Sequence, residues 1–199
     1  MYDTKNGGKS TITLEHYSTF DYGDIFAFAD YSIADERFKY QDTKNDFYYE
    51  ISPRISLSRV SGTDLSSTFV KDTYLTFQYN RGEEYKAYLS GVGLDFITPF
   101  FDIFGVNIYI KNQNIGDNTL QLSLNYFKAS IFQSGFDFSG FTDWTKEDFL
   151  SQNQLLYDVS KIVDIDKKSF FGGVEWHYYR VKKSNVLSNT LQLMVKYIW

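Results

Sequence analysis

Acidic and aromatic residues alternate along one short segment, and their spacing defines the chemistry that it could perform. In "DIFAFADYS" the even positions carry Asp24, Phe26, Phe28 and Asp30. Residues two apart in an extended strand project from the same face. The two rings could therefore stack on a flat solute while the carboxylates accept hydrogen bonds from its hydroxyl groups. The alternative is that the rings only fill an interior, and the sequence leaves both interpretations open.

Other polar side chains fall on the equivalent faces of other predicted strands. Because Glu50, Arg54 and Asp72 carry opposite charges, they are expected to form a structural ion network rather than a ligand site. The mixed charge of this face argues against selectivity for phosphates, which would need a cluster of Arg or Lys. The candidate lining residues beyond the first segment are Glu15, Tyr17, Glu50, Arg54, Asp72, Tyr74, Gln121, Asn125, Asp158, Glu175, His177 and Tyr179.

A second possible chemistry is hydrolysis. In "HYS", His16 and Ser18 share a strand face, and this His-x-Ser pair resembles the arrangement of lipid A deacylases. A base and a nucleophile need hydrogen-bond contact, and no carboxylate partner can be assigned from the sequence. Bare motif matches of this kind are seldom catalytic, so we expect no enzyme. With no cysteine in the chain, thiolate chemistry is excluded, and no metal or cofactor is predicted.

The elements that must position these residues are β-strands. Alternation of apolar and polar residues runs through nearly the whole chain, while helical periodicity is nearly absent. Several of the predicted strands are about ten residues long, the length that a tilted strand needs to cross a bilayer. The pattern predicts eleven strands, at about 11–20, 24–34, 46–57, 69–79, 84–96, 104–111, 118–128, 134–142, 152–163, 169–181 and 189–199.

The composition limits the classes of protein to which the chain could belong. The 199 residues are enough for one domain, expected to span 1–199, and 20% of them are aromatic although the charged fraction is 23%. A chain that is both aromatic and polar suits a sheet with one apolar and one wetted face. No stretch approaches 18 apolar residues, so a transmembrane helix is not expected. The basic residues are scattered and the net charge is −5, which argues against a nucleic-acid partner.

A soluble β-sandwich or a lipocalin-like barrel would also alternate, but three features favour a transmembrane antiparallel β-barrel in a bacterial outer membrane. Aromatic residues crowd the strand ends, as interfacial girdles require. Long polar connections alternate with shorter, more apolar ones. The last strand, "TLQLMVKYIW", keeps its apolar face in phase up to Trp199, which is typical of the C-terminal signal read by the outer-membrane assembly machinery.

Strand parity leads to an expectation about the N-terminus. Bacterial single-chain barrels have an even number of strands with both termini in the periplasm. Counting back from the last strand makes segment 11–20 the second of twelve strands. We therefore expect the first strand, and any signal sequence, to lie outside this sequence, with residues 1–10 as the remainder of an outer loop.

An ordered set of segments resembles the nucleoside-specific channel-forming family, the Tsx-like and OmpK-like porins of Gram-negative outer membranes. The resemblance implies a twelve-stranded, monomeric barrel with a narrow lumen that passes nucleosides. A structural barrel, or a receptor for phage or bacteriocin, is the alternative. The segments that carry the resemblance are "TLEHYSTFDYGDIFAFADYS", "YYEISPRISLS", "VKDTYLTFQY", "GVGLDF", "SGFTDW" and "FGGVEWHYY".

Overall fold

The computed structural model describes residues 8–34, 44–160, 162, 169–183 and 186–199. Within these ranges every one of the eleven predicted strands is present. A helix, α1, covers Leu57–Ser61, and a single 3₁₀ turn covers Ile131–Gln133. The strands are β1 (Lys9–Phe20), β2 (Gly23–Ala34), β3 (Asn45–Ser56), β4 (Val70–Arg81), β5 (Lys86–Phe96), β6 (Ile103–Gln113), β7 (Thr119–Lys128), β8 (Phe136–Thr145), β9 (Asp148–Asp158), β10 (Phe170–Val181) and β11 (Val186–Tyr197).

The strands follow one another in a single sheet in chain order. All the pairs whose register is described are antiparallel. Antiparallel neighbours need only a short connection, and residues 21 and 22 suffice between β1 and β2. Residues that are partners in the register lie on the same face of the sheet, so Tyr17, Phe26 and Ser52 share one face.

The strand boundaries differ from the predicted ones where local hydrogen bonds intervene. The third strand was predicted to reach Leu57, but Ser56 caps α1 by accepting a hydrogen bond from the Arg59 N–H. The ninth strand runs from Asp148 to Asp158 rather than over 152–163, because Thr145 and Asp148 hydrogen-bond across the preceding turn.

The last strand ends at Tyr197, two residues before the predicted end. The Ile198 N–H still donates to the Ser169 carbonyl at 2.8 Å, and the Trp199 ring stacks on Tyr197. Parts of the predicted outer loops, at residues 1–7 and 35–43, lie outside the described residues.

The chain divides into two compact units, which are treated separately below. The first unit holds β1 to β3, α1 and most of β4 and β5. The second holds most of β7 and all of β8 to β11. Their bounds are Met1–Ser67, Asp72–Leu94 and Asn107–Leu120 for the first unit, and Thr68–Lys71, Asp95–Val106 and Gln121–Trp199 for the second.

The first unit buries polar residues and exposes apolar ones. Along β4 the even positions from Asp72 to Asn80 are buried, whereas Leu75 and Phe77 between them are exposed. Strand β6 repeats the pattern, with a buried Lys111 beside an exposed Ile110. This order is the reverse of that in a water-soluble sheet, where the apolar face is the buried one.

The second unit shows the same inversion. On β11, Leu191, Leu193 and Val195 are all exposed, and Leu193 is 91% exposed. On β10, Glu175 is buried while the neighbouring Trp176 is exposed. A continuous apolar face of this kind would be strongly unfavourable in water but favourable in hydrocarbon. The polar face of each unit, which we call its inner face, is therefore the one turned away from lipid.

Two turns of the second unit are tied together by a carboxylate. Asp102, before β6, accepts hydrogen bonds at 2.8 Å from the Lys128 ammonium and from the Ala129 N–H. The Lys128 side chain and the Ala129 backbone N–H hold the pKa of Asp102 below its usual range. The turn before β6 is thereby fixed to the end of β7.

We predict that Leu193→Arg lowers the free energy of unfolding of the vesicle-inserted protein by about 2–4 kcal/mol, because it places a charge within the apolar band. Urea titration of the vesicle-inserted protein, followed by heat-modifiable gel migration, measures the effect. Thr63→Arg adds the same charge to an exposed connection and is expected to be neutral. Equal stabilities of the two variants would contradict a lipid-facing β11.

Candidate functional site

Strand β2 places Asp24, Phe26, Phe28 and Asp30 on the inner face of the first unit, as their spacing predicts. The register sets Phe26 opposite Tyr17 of β1 and Phe28 opposite Glu50 of β3. The two carboxylates are 4% and 6% exposed, while Phe26 keeps 36% of its surface exposed. The segment thus combines anchored acids with an accessible ring.

Asp24 is the carboxylate that binds Arg54. Residues 24 and 54 are direct partners in the β2–β3 register, and the Arg54 Nε and Nη2 atoms each donate to Asp24 at 2.8 Å. The guanidinium also lies 4.2 Å from the centre of the Tyr74 ring. A bidentate pair that also stacks on an aromatic ring is a well-fixed geometry. Asp24, whose spacing on β2 marks it as a possible acceptor for a solute, is thus part of an ion pair with Arg54.

The remaining carboxylates of this face accept hydrogen bonds from hydroxyl groups. Asp30 accepts from Thr13 at 2.6 Å, Glu50 from Ser52 at 2.8 Å and Asp72 from Ser56 at 2.8 Å. These hydroxyl groups help to fix the orientation of the three carboxylates on the sheet.

Three aromatic rings form a row on the same face. The Phe26 and Phe28 ring centres lie 6.0 Å apart, and Tyr48 lies 5.8 Å from Phe28, both in tilted contacts. Tyr48 pairs with Asp30 in the register, so the row lies between Asp24 and Asp30. We had not included Tyr48 among the candidates, although its even position beside Glu50 on β3 was the available signal.

Buried polar atoms without partners lie elsewhere on the inner face of the first unit. The Thr76 hydroxyl, Asn80 Oδ1 and Asn107 Oδ1 atoms have no hydrogen-bond partner in the described part of the chain. A Cβ on Gly93 would lie 2.3 Å from Asn107 Oδ1 and 2.7 Å from the Thr76 methyl, so only glycine leaves room for both side chains. Unsatisfied buried acceptors are costly in an interior, and are typical of surfaces that bind water or polar solutes.

The second unit holds the other predicted site residues. Glu175 on β10 lies opposite Gln154 of β9 and Gln192 of β11, and it accepts a hydrogen bond from each side-chain amide. His177 is buried on the same face, and Tyr179 follows it along the strand.

Strands β7 and β8 add a second hydrogen-bonded row to this unit. The Gln121 amide donates to Ser123 at 2.9 Å, and Ser123 donates to Asp143 of β8. The register places Asn125 on the same face, opposite Phe141. The even number of Asp158 places it on the face of Gln154 on β9. Asp143 was missed as a candidate, and its place opposite Ser123 could not be read before the register was known.

The two residues with possible hydrolytic chemistry do lie in contact. His16 Nε2 and Ser18 Oγ are 3.1 Å apart on the exposed, apolar face of β1. Among the described residues no carboxylate binds the other ring nitrogen of His16. The pair therefore lacks the orienting group that an activated serine requires.

The described ranges contain no group of three or more His, Asp or Glu side chains arranged to hold a metal ion. None of their helices combines the length and the apolar character needed to span a membrane.

Comparison with known proteins links the chain to outer-membrane channels. The family described as "Nucleoside-specific channel-forming protein, Tsx" matches residues 6–188. Outer membrane protein OmpK of Vibrio parahaemolyticus is 26% identical over 181 residues, which cover 86% of this chain and 61% of OmpK. The OmpK of V. parahaemolyticus serotype O3:K6 (strain RIMD 2210633) is 29% identical over 188 residues and is covered to 62%. The chain thus spans less than two thirds of the length of these relatives.

Solved structures share the fold. A KdgM porin superimposes with a TM-score of 0.58 and 11% identity, covering 97% of this chain and 93% of the porin. A KdgM porin in complex with disordered oligogalacturonate gives a TM-score of 0.57 at the same identity. The protein is accordingly an antiparallel β-barrel of the bacterial outer membrane, and its polar inner and apolar outer faces are those that such a wall requires. On the match over residues 6–188, the chain belongs to the nucleoside-specific channel-forming Tsx family.

Proposed function

We propose that the protein is a passive channel selective for nucleosides, in which the base stacks on the ring row of Phe26, Phe28 and Tyr48. The observation that supports it most directly is the position of this row, between Asp24 and Asp30 on the inner face. A phenyl ring is an unfavourable lining for a water pore. It is useful where the solute has a flat aromatic surface.

The ring row would bind the base of the nucleoside, and the acids would bind its sugar. Stacking is worth about 1–3 kcal/mol per base, which is strong enough to select and weak enough to release. Asp24 is engaged in two bonds to Arg54, and Asp30, at the other end of the ring row, is the acid that we propose accepts a ribose hydroxyl. Phe26, with the most exposed ring, would meet the solute first.

The charge of the inner face favours a neutral solute. The described strand residues of the first unit place six carboxylates on this face, at 15, 24, 30, 46, 50 and 72, against the three cations Lys9, Arg54 and Lys111. Such an excess of negative charge repels anions. The KdgM porin that binds oligogalacturonate carries an acidic ligand, whereas this face suits uncharged nucleosides better than nucleotides.

A closed barrel with a structural or receptor role is the second candidate. It is favoured by the deep burial of the inner face, where Asp24, Thr76 and Asn80 are all buried. In that case Phe26 and Phe28 would only fill the interior. Passage of solute separates the two functions, and neither requires catalysis.

We predict that vesicles containing the whole protein take up uridine faster than a neutral sugar of equal size. Uptake of the corresponding nucleoside monophosphate is expected to be slower than either, because the inner face carries excess carboxylates. Vesicle swelling or radiolabel uptake measures the three rates. Equal rates for nucleoside and sugar would disprove selectivity, and no uptake above empty vesicles would favour the closed barrel.

Removal of the rings tests the stacking. Phe26→Ala and Phe28→Ala are each expected to weaken the block of single-channel ion current by nucleosides by about 1–3 kcal/mol, since each deletes a stacking surface. Phe47→Ala is the matched control, because Phe47 adjoins Tyr48 on the opposite, exposed face of β3. An unchanged block in both inner-face variants, or an equal loss in the control, would contradict the role of the ring row.

The ion pair is expected to act on stability rather than on nucleoside binding. Asp24→Asn leaves the Arg54 guanidinium, whose side chain is 16% exposed, without its carboxylate. We predict a loss of about 3 kcal/mol in unfolding free energy, with nucleoside block changed less than in Phe26→Ala. Urea titration measures the stability, and a double variant with Arg54→Gln should recover part of the loss. A stable Asp24→Asn variant that no longer binds nucleosides would assign Asp24 to the solute instead.

A further inference from the structure

The apolar outer face of the first unit contains a groove. It has a volume of about 380 Å³, within the range of ligand clefts. Exposed apolar side chains from β3, β4 and β5 contribute to it, including Phe77, which is 41% exposed. The groove residues used below are Ile51, Pro53, Phe77, Tyr79, Tyr88 and Ser90.

A proline explains where this groove lies. Strand β3 pairs with β4 over residues 49–51 and again over 54–56, and the described pairing is interrupted at Ser52 and Pro53. Proline has no N–H to donate and is disfavoured inside a sheet for this reason. We attribute the cleft to this interruption of backbone pairing between two paired segments, and not to the rotamer of one side chain.

Tyr79 and Tyr88 line the end of the groove that is nearest the connection between β4 and β5, and Tyr49 lies beside them. Tyr79 packs edge-on against Tyr49 at 5.9 Å, and its ring centre lies 4.9 Å from that of Tyr88. Tyrosine combines an apolar ring with a polar hydroxyl and is enriched at membrane–water interfaces. These tyrosines therefore mark the depth at which lipid headgroups begin.

Two cations follow the tyrosines on the same face. Arg81 is two residues beyond Tyr79 and lies opposite Tyr49 in the register. Lys86 is two residues before Tyr88, and its ammonium is 5.2 Å from the centre of that ring. Among the described residues neither cation has a carboxylate partner. Glu83 and Glu84 are exposed in the same connection, so attraction of an anion here depends on direct contact rather than on the local field.

Along this face, the apolar groove with the tyrosines at its end is followed by the two cations. An anionic lipid has its parts in the same order, from the acyl chain through the interfacial region to the charged headgroup. We propose that the outer face of β3, β4 and β5 binds an anionic, phosphate-bearing lipid, with its phosphate on Arg81 and Lys86 and one acyl chain in the groove beside Pro53. Arginine and lysine donate charge-assisted hydrogen bonds to phosphate oxygens, while the groove offers the chain a fixed apolar surface. Because the site lies on the lipid-facing side of the barrel, a membrane lipid can reach it within the bilayer without passing through water.

Native mass spectrometry of the whole protein in detergent tests the headgroup contact, with phosphatidylglycerol and phosphatidylcholine of identical acyl chains as probes. The protein is expected to retain phosphatidylglycerol preferentially. Arg81→Gln and Lys86→Gln should each reduce that preference about fivefold. Lys71→Gln, which removes a cation from the same exposed face near the other end of β4, should leave it unchanged. Equal retention of the two lipids, or equal effects of all three variants, would overturn the proposal.

Filling the groove tests the chain contact independently of charge. Ser90→Phe is expected to weaken retention of phosphatidylglycerol while heat-modifiable migration, the mark of a folded barrel, stays unchanged. Millimolar inorganic phosphate should not displace the lipid, because the chain supplies part of the binding. Displacement by phosphate, or full retention by the folded Ser90→Phe variant, would show a simple anion site and refute the lipid. Nucleoside uptake by the Arg81→Gln and Lys86→Gln variants should be normal, which separates this site from the proposed channel.

Discussion

The structure depends first on one constraint, which is that hydrocarbon covers the outer face of every strand. Hydrocarbon offers no hydrogen bonds, so the backbone must be paired within the wall and polar side chains must turn inward. The alternation from Asp72 to Asn80 on β4 follows directly. Polar groups collected inside must then satisfy one another, as Asp24 does with Arg54 and Glu175 with two glutamine amides. The ion pair and the amide rows are thus consequences of the lipid outside.

Under this constraint, apolar side chains on the inner face are exceptions that need a specific explanation. Phe26 and Phe28 are apolar side chains where the rule favours polar ones, and they sit between acids that anchor the face. A barrel that only needed filling could use residues such as Ala87 and Leu89, which are buried in the first unit. Two tilted rings next to a row of acceptors form a surface of mixed character, which is suited to a solute with a flat base and a hydroxylated sugar.

The faces were predictable from the sequence because the strand period of two is a property of each residue's own position. Phe26, Glu50 and Glu175 needed no knowledge of their neighbours to be assigned inward. The partner of Arg54 was not predictable, since it depends on the register between β2 and β3, which are joined by a connection of ten residues. The end of β3 at Ser56 depends on a single cap, and Tyr48 gained its role only through a ring contact across two strands. Pairing, capping and ring contacts are tertiary effects that periodicity does not contain.

The register of strand pairing determines which residues lie on each of the two faces of the sheet. On β3, Glu50 faces inward and pairs with Asn80, while the next residue, Ile51, faces lipid and pairs with Tyr79. A slip of β3 by one residue would turn its side chains to the other face and place Glu50 and Arg54 in hydrocarbon, at a cost of several kcal/mol. Pro53 weakens the β3–β4 pairing just where its neighbour Arg54 binds across to β2. Arg54 is thus fixed on the inner face by Asp24, directly beside the residue at which the outer face loses its pairing to β4.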